Sequence, residues 1–284
     1  MLKESITSKE INCIFSSSNG KPNRKLKETY LRKLFEMTNC SNDIAKTIAK
    51  IDSQIIETWD YEISKSIIRN MFFKSEKCIL SKQKKDKIDL AIHQWKELGL
   101  GEIKWPFAAA SIDNYIHKLN RSEKIPEQEK DKIISKDIIR FRRIKEINQL
   151  KNDYIEYLVI HNNENVIPTF GNKRGVDFYI DGLPFDQKVS KSVGSDFIKE
   201  YGDDYRTVAI ESTSLLAKSL YEHQDAQRFG SEPRFLVVYL DTDLTSDEIE
   251  DLLKSLDFSS PMNIAFEYKG NKYKTTCYLI LLHR

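Results

Sequence analysis

Two stretches in which apolar residues recur at every second position meet at Asp181-Gly182, and together they predict a β-hairpin. Asp-Gly is a favoured two-residue turn between antiparallel strands. With this turn, Phe178 pairs with Phe185 and Asp177 with Asp186. One face of the hairpin is then apolar apart from Gln187, and its apolar members are Val176, Phe178, Ile180, Leu183, Phe185 and Val189.

The same register places charged residues together on the opposite face. Lys188 stands two residues beyond Asp186 and therefore shares the face of Asp177 and Asp186. Two opposed carboxylates cost a few tenths to ~1 kcal/mol, and a bound divalent cation removes that cost. Carboxylates, waters and a substrate phosphate are usual Mg²⁺ ligands, and a neighbouring ammonium can orient or deprotonate an attacking water. The pattern is typical of a metal-dependent phosphodiesterase site.

Helical periodicity dominates the first half of the chain. Apolar residues at three-and-four spacing predict several helices, and a break at Pro106 precedes another. The polar run 120–136, which contains Pro126, is the predicted linker. The predicted helices cover 25–37, 41–50, 51–73, 82–98, a start within 105–111, and a long helix from about 135 to 160 that leads to the hairpin.

The elements after the hairpin complete an α/β (α+β) pattern. They are helices near 195–201 and 212–228, a buried strand at 234–240, a helix at 246–256, and strands at 263–268 and 273–282. A hairpin, a crossover helix and a buried strand predict a mixed β-sheet flanked by helices. We expect residues 1–125 to form a helical accessory region for DNA binding or dimerisation, and residues 135–284 to form a catalytic domain.

Composition narrows the class of protein. A chain of 284 residues with 40% hydrophobic content has room for one large core or two smaller ones. A net charge of only +2 favours a local basic surface over binding of polyanions by bulk charge. The four cysteines are dispersed, which indicates neither a zinc site nor a disulfide framework. Without a signal-peptide core or a long apolar run, we expect a cytoplasmic protein.

The charged residues of the hairpin resemble the signature of a nuclease family. Asp177, eight intervening residues and then Asp186-Gln-Lys188 at the end of an apolar strand are similar to the PD-(D/E)xK nuclease superfamily. Type II restriction endonucleases are its largest characterised group. The resemblance covers roughly residues 150–240. Val176 stands where the family has proline, and Asp186 stands where glutamate is commoner.

The resemblance implies roles for four residues. Asp177 and Asp186 would be metal ligands, and Lys188 would be the catalytic lysine. Glu156, on the helix before the hairpin, matches a further acidic residue that members often add. The implied fold is a restriction-endonuclease-like mixed β-sheet core flanked by helices.

The implied function is a Mg²⁺-dependent type II restriction endonuclease that makes double-strand breaks at a short DNA sequence. Such an enzyme works as a homodimer and belongs to a system with a cognate DNA methyltransferase. One alternative is a repair, recombination or modification-dependent nuclease of the same fold. Another is a non-catalytic DNA-binding or helical interaction protein whose hairpin charges are incidental.

A second acidic-x-Lys triplet, Glu267-Tyr-Lys269, also lies on a predicted strand. It lacks an acidic residue across a tight hairpin, so we interpret it as a coincidental match.

Candidate DNA contacts come from basic and amide side chains. Clustered cations are suited to backbone phosphates, whereas glutamine and arginine can read base edges. A solvated helix face is the alternative explanation for those on helices. The candidates are Arg140, Arg142 and Arg143 on the long helix, Lys173, Arg174 and Lys191 around the hairpin, and Gln224 and Arg228 further along.

Overall fold

A computed structural model describes residues 3–16, 23–103, 112–171, 175–224, 229–254, 256, 258 and 260–284. Its helices are α1 (Ser8–Ile14), α2 (Arg24–Thr38), α3 (Ile44–Asp52), α4 (Tyr61–Phe73), α5 (Glu76–Lys82), α6 (Lys84–Glu97), α7 (Ile112–Asn120), α8 (Glu127–Asn162), α9 (Ser195–Tyr201), α10 (Tyr205–Glu211), α11 (Thr213–Glu222) and α12 (Ser246–Lys254). Its strands are β1 (Ser5–Thr7), β2 (Thr58–Asp60), β3 (Val166–Pro168), β4 (Phe178–Ile180), β5 (Leu183–Ser190), β6 (Arg234–Tyr239), β7 (Met262–Tyr268) and β8 (Asn271–Leu282).

The strands form a six-stranded mixed sheet and a small two-stranded sheet. The large sheet has the order β3-β4-β5-β6-β8-β7, and β1 pairs with β2. Strands β3, β4 and β5 are antiparallel neighbours, whereas β5, β6 and β8 run parallel to one another. The predicted mixed α/β class is therefore confirmed.

The predicted hairpin is present with the predicted register. Ile180 pairs with Leu183 and Phe178 with Phe185. Asp181 and Gly182 have φ values of 48° and 79°, the left-handed conformation that a tight two-residue turn requires. Phe178, Ile180 and Phe185 are buried in the main core. Leu183, however, is 48% exposed, because it lies beside the turn.

Helices cover both faces of the large sheet. On one face, α6, α8 and α12 pack against Phe235 and Val237 of β6. On the other, Phe197 of α9 and Leu216 of α11 pack against Val238. Alternation along β6 explains this division, because successive side chains of a strand point to opposite faces.

The N-terminal elements share a second hydrophobic cluster with the sheet. Its members come from β1, α1, α2, α3 and α4, together with Ile167 of β3 and Tyr179 of β4. Arg69 of α4 also donates hydrogen bonds to the carbonyls of Asn163 and Val166, at 2.7 and 2.6 Å. The N-terminal helices thus pack directly on the β3 end of the sheet, and the division into two domains stays a prediction.

One predicted helix and the predicted linker differ from the structure. The segment 51–73 is not one helix, because α3 ends at Asp52, Gln54 has a φ of 60°, and β2 intervenes before α4. Asp60 begins α4 by accepting a hydrogen bond from the Ile63 amide at 2.8 Å. The linker 120–136 is also too long, since α8 starts at Glu127.

The early start of α8 follows from local chemistry. Pro126 occupies its N-cap, and Glu127 and Glu129 lie in the first turn, where the helix dipole favours negative charge. Lys130 pairs with Glu127 at 2.6 Å. In the helices after the hairpin, α11 ends at Glu222 rather than near 228, and α10 was not predicted. The helix start predicted within 105–111 lies outside the described residues.

In the part of the chain that the structure describes, no helix combines the length and apolar character needed to cross a membrane.

Candidate functional site

The predicted site residues lie where β4 separates from β5. Asp177 directly precedes β4, while Asp186 and Lys188 belong to β5. The β4–β5 pairing ends at Phe178 and Phe185, and β5 then continues beside β6 alone among the described strands. The charged side chains therefore occupy an opening along one edge of β5.

Asp177 is the central carboxylate of this opening. One of its oxygens, Oδ2, accepts a hydrogen bond from the Gln187 amide at 2.6 Å. The pKa of Asp177 is raised to about 6, chiefly by burial and also by the negative charges of Glu156 and Asp186, although the Gln187 hydrogen bond and the Lys188 charge oppose this shift. Glu156 and Asp186 therefore each lie near enough to Asp177 for their charges to act on it.

Asp186 and Lys188 form an ion pair on the same strand face. The Lys188 Nζ lies 2.6 Å from Oδ2 and 2.7 Å from Oδ1 of Asp186. Asp186 is only 6% exposed, whereas the Lys188 side chain is 52% exposed. Lys188 thus joins a buried carboxylate to solvent at the mouth of the site.

Glu156 reaches the site from α8 and is paired by a residue that the sequence did not indicate. Lys77 of α5 lies with its Nζ 2.7 Å from Glu156 Oε1 and 3.5 Å from the Thr169 carbonyl. Lys77 and Glu156 are 79 residues apart in sequence. The sequence around Lys77 does not predict this ion pair, because the contact depends on how α5 packs on α8.

Gln187 fixes the spacing between β5 and α8. Its Nε2 donates to the Asn152 carbonyl at 3.2 Å, one helical turn before Glu156. Its Oε1 is buried without a hydrogen-bond partner among the described residues. The middle residue of the Asp-Gln-Lys triplet therefore has a structural contact of its own.

The donor set suits a hard divalent cation. Among the described residues, Oδ1 of Asp177 and Oε2 of Glu156 accept no hydrogen bond, so each carboxylate keeps an oxygen for a ligand. Carboxylate oxygens are the donors that Mg²⁺ prefers. Across the described ranges, no three acidic, histidine or cysteine side chains are arranged as a ready metal-binding group. Lys77 and Lys188 neutralise Glu156 and Asp186 in this arrangement, so ligation by all three carboxylates requires rotation of side chains.

The arginines of α8 are held by neighbouring side chains. Arg140 lies 3.7 Å from Asp137, and Arg142 lies 3.5 Å from Glu146. Arg143 donates to Gln94 at 2.9 Å. These pairs are compatible with a solvated helix face, and the exposed Arg142 points its charge outward.

The remaining candidate DNA contacts are scattered. Gln224 accepts from the Gly230 amide at 2.9 Å and from Arg234 at 2.7 Å, so its side chain holds a loop of its own chain. Lys191 lines a cavity beyond the end of β5. Lys173, Arg174 and Arg228 lie outside the described residues.

The second acidic-x-Lys triplet has no comparable geometry. Lys269 lies in the β7–β8 turn with a φ of 50°, and Glu267 pairs across the hairpin with Lys272. No acidic cluster forms around it among the described residues.

Comparison of the chain with protein-family models, curated proteins and solved structures finds no match.

Proposed function

We propose that this protein is a Mg²⁺-dependent endodeoxyribonuclease of the PD-(D/E)xK type that makes double-strand breaks in DNA. The observation that carries the proposal is the cluster of Asp177, Asp186 and Glu156 beside Lys188, at the opening where β4 leaves β5. Carboxylates whose charges act on one another repel, which folding alone does not favour. A cation-binding role accounts for keeping them together.

The order of elements also supports the proposal. Helix α8 leads to the antiparallel strands β3, β4 and β5, and the helices α9 to α11 cross over to the parallel strand β6. A hairpin, a crossover helix and a buried strand are what the family resemblance requires. Fold alone does not imply function, so this agreement is secondary to the site chemistry.

The carboxylates of Asp177, Asp186 and Glu156 would hold the cation. When bound, Mg²⁺ supplies positive charge to the phosphate on which negative charge develops. Lys188 has the exposure needed to reach a phosphodiester or an attacking water from the solvent side of the site. Asp186 positions its ammonium through their ion pair, so that Lys188 can donate a hydrogen bond. Lys77 balances the charge of Glu156 in the absence of a cation.

The proposed substrate is double-stranded DNA, cut at a short specific sequence as by a type II restriction endonuclease. A two-fold target fits a homodimer, since each protomer then cuts one strand. A cognate DNA methyltransferase belongs to the same proposal. Incubation of the protein with unmethylated phage DNA and Mg²⁺, followed by sequencing of the fragment ends, would reveal a fixed sequence at every end. Random ends would instead favour a repair or recombination nuclease.

Two lysine variants test the assignment of the site. Lys188→Ala should lose cleavage of plasmid DNA by orders of magnitude yet still bind DNA, because one ammonium adds little to affinity spread over many phosphates. Lys269→Ala is the matched control in the second triplet and should cleave like the unmodified protein. If Lys188→Ala were active and Lys269→Ala inactive, the catalytic site would not lie on β4 and β5, and the assignment would be wrong. If the unmodified protein did not cleave DNA with either Mg²⁺ or Mn²⁺, the nuclease proposal would fail and a non-catalytic DNA-binding or interaction role would be favoured.

A further inference from the structure

A second site candidate lies at the carboxyl ends of β5 and β6, away from Asp177. A cavity of about 780 Å³ opens there between the ends of these two strands, helix α8 and the end of α6. Asn148 and Lys151 of α8, Lys191 after β5 and Tyr239 at the end of β6 line it. Cavities of roughly 300–1,000 Å³ accommodate small-molecule ligands and cofactors.

The cavity results from the way the chain leaves the two parallel strands. After β5 the chain turns to the face where Val193 and Phe197 pack against Val238. After β6 it turns to the opposite face, where Leu244 and Ile249 join the main core. Divergent connections open a crevice outside the carboxyl ends of parallel strands, which is where ligands bind in open α/β sheets.

Two polar groups at this cavity have no partner among the described residues. The hydroxyl of Tyr239 and Nδ2 of Asn148 are buried and make no hydrogen bond. Tyr239 as a whole is only 5% exposed. A buried donor without an acceptor costs about 1–3 kcal/mol. A ligand that presents acceptor oxygens to both donors removes this cost.

Two lysines add positive charge to the same wall. Lys151 is 2% exposed, and its Nζ donates to the Thr242 carbonyl at 2.8 Å and lies 4.9 Å from the Tyr239 ring centre. Burial lowers the pKa of Lys151 to about 8, and burial together with the charge of Lys145 lowers the pKa of Lys191 to about 8. An anion in the cavity would favour the charged form of both lysines.

Two of the three carboxylates that line the cavity are held by arginines. Asp241 is held by both terminal nitrogens of Arg206, at 3.1 and 2.8 Å. Asp243 is paired with Arg284 at 2.8 Å. Asn148, Tyr239 and the lysines thus line the cavity together with Glu102, while Asp241 and Asp243 are held by arginines.

We propose that this cavity binds a phosphate-bearing small molecule of nucleotide size, with its phosphate held by Asn148, Tyr239, Lys151 and Lys191. Donors and cations that line one cavity suit the several acceptor oxygens of a phosphate, and charge-assisted hydrogen bonds make such contacts strong. The site is separate from the carboxylate cluster. Asn148 and Glu156 are nevertheless on the same helix, about 12 Å apart along its axis.

Binding can be measured by titration calorimetry in EDTA, without DNA. The probes are inorganic phosphate, the 5′-mononucleotides AMP and dTMP, and a short 5′-phosphorylated oligonucleotide, each up to millimolar concentration. Preference for the mononucleotides over the oligonucleotide identifies a free nucleotide as the source of the phosphate, and the reverse preference identifies a nucleic-acid end. Asp186→Asn should bind the probes like the unmodified protein, which separates this site from the proposed nuclease centre.

Asn148→Asp replaces a donor by an anion at constant size and should weaken phosphate binding about ten- to a hundredfold. Asn162→Asp, the same change at an exposed position of α8, is the control and should have no effect. Tyr239→Phe keeps the ring beside Lys151 and should weaken binding about tenfold. Three outcomes would overturn the proposed site. They are wild-type affinity in either cavity variant, an equal loss of affinity in Asn162→Asp, and the absence of binding of any probe to the unmodified protein.

Discussion

Lys151 carries a buried charge whose cost can be measured as a function of pH. Its side chain is almost inaccessible, and burial lowers its pKa from the usual 10.5 to about 8. Charges on neighbouring elements modify this effect without reversing it. Asp243, Asp89 and Glu248 favour the charged form, and Arg284 disfavours it. We expect replacement of Lys151 by methionine to remove this pH dependence from the stability of the protein.

The size of the effect follows from the pKa difference between the folded and unfolded states. A pKa lowered from 10.5 to about 8 corresponds to about 3 kcal/mol of unfolding free energy. Below pH 8 both states carry the proton, and the full cost of the buried charge is present. As the pH rises from about 8 towards 10.5, the folded state loses the proton first, so the protein recovers stability. Between pH 7 and about pH 9.5 the recovery amounts to about 2 kcal/mol.

Urea denaturation of the unmodified protein and of Lys151→Met at these two pH values is the assay. The difference in unfolding free energy between the two proteins should shift by about 2 kcal/mol in favour of the unmodified protein at the higher pH. The subtraction cancels the titration of every other group that the substitution leaves unchanged. Lys132→Met is the control on the same helix, because the Lys132 side chain is 76% exposed. If the difference in unfolding free energy between the unmodified protein and Lys151→Met did not change with pH, the proposed cost of the buried Lys151 charge would be refuted.

Three further predictions concern the proposed nuclease site and the core. Asp177→Asn should abolish DNA cleavage while leaving the circular dichroism spectrum unchanged, and near-normal cleavage would contradict its role as a ligand. Ca²⁺ in place of Mg²⁺ should support specific DNA binding with little or no cutting, whereas undiminished cleavage in excess EDTA would exclude the metal mechanism. Phe235→Ala should lower the unfolding free energy by about 3–5 kcal/mol in denaturant titrations, because Phe235 is fully buried among aromatic rings. A loss below about 1 kcal/mol would contradict the packing of this core.

The hairpin could be predicted from sequence because its information is local. Asp181-Gly182 fixes the turn, and alternation then determines which residues pair with which. Asp177, Asp186 and Lys188 follow from that register, and their proximity needed no long-range contact. The predicted pairing of Asp177 directly opposite Asp186 is less regular in the structure, because the Asp177 carboxylate accepts a hydrogen bond from the Gln187 amide.

Other features depend on contacts between distant segments. Strand β3 has only three residues, one of them Pro168, which is too short for alternation to reveal a strand. The charge partner of Glu156, Lys77, comes from a helix in the first half of the chain. The cavity beside Tyr239 combines segments from four parts of the sequence. Such arrangements follow from packing, and no single window of sequence contains them.

The two edges of the large sheet differ in their resistance to aggregation. At one edge, Arg69 donates a hydrogen bond to the carbonyl of Val166 in β3, and Pro168 has no amide hydrogen to donate. A strand from another molecule therefore finds few free hydrogen-bonding groups there. At the other edge, β7 is seven residues long and follows an alternating pattern of burial. Its charged Glu267 is the type of residue that discourages edge-to-edge pairing. Substitution of Glu267 by an apolar residue should therefore favour fibrous or amorphous self-association through β7 rather than through β3.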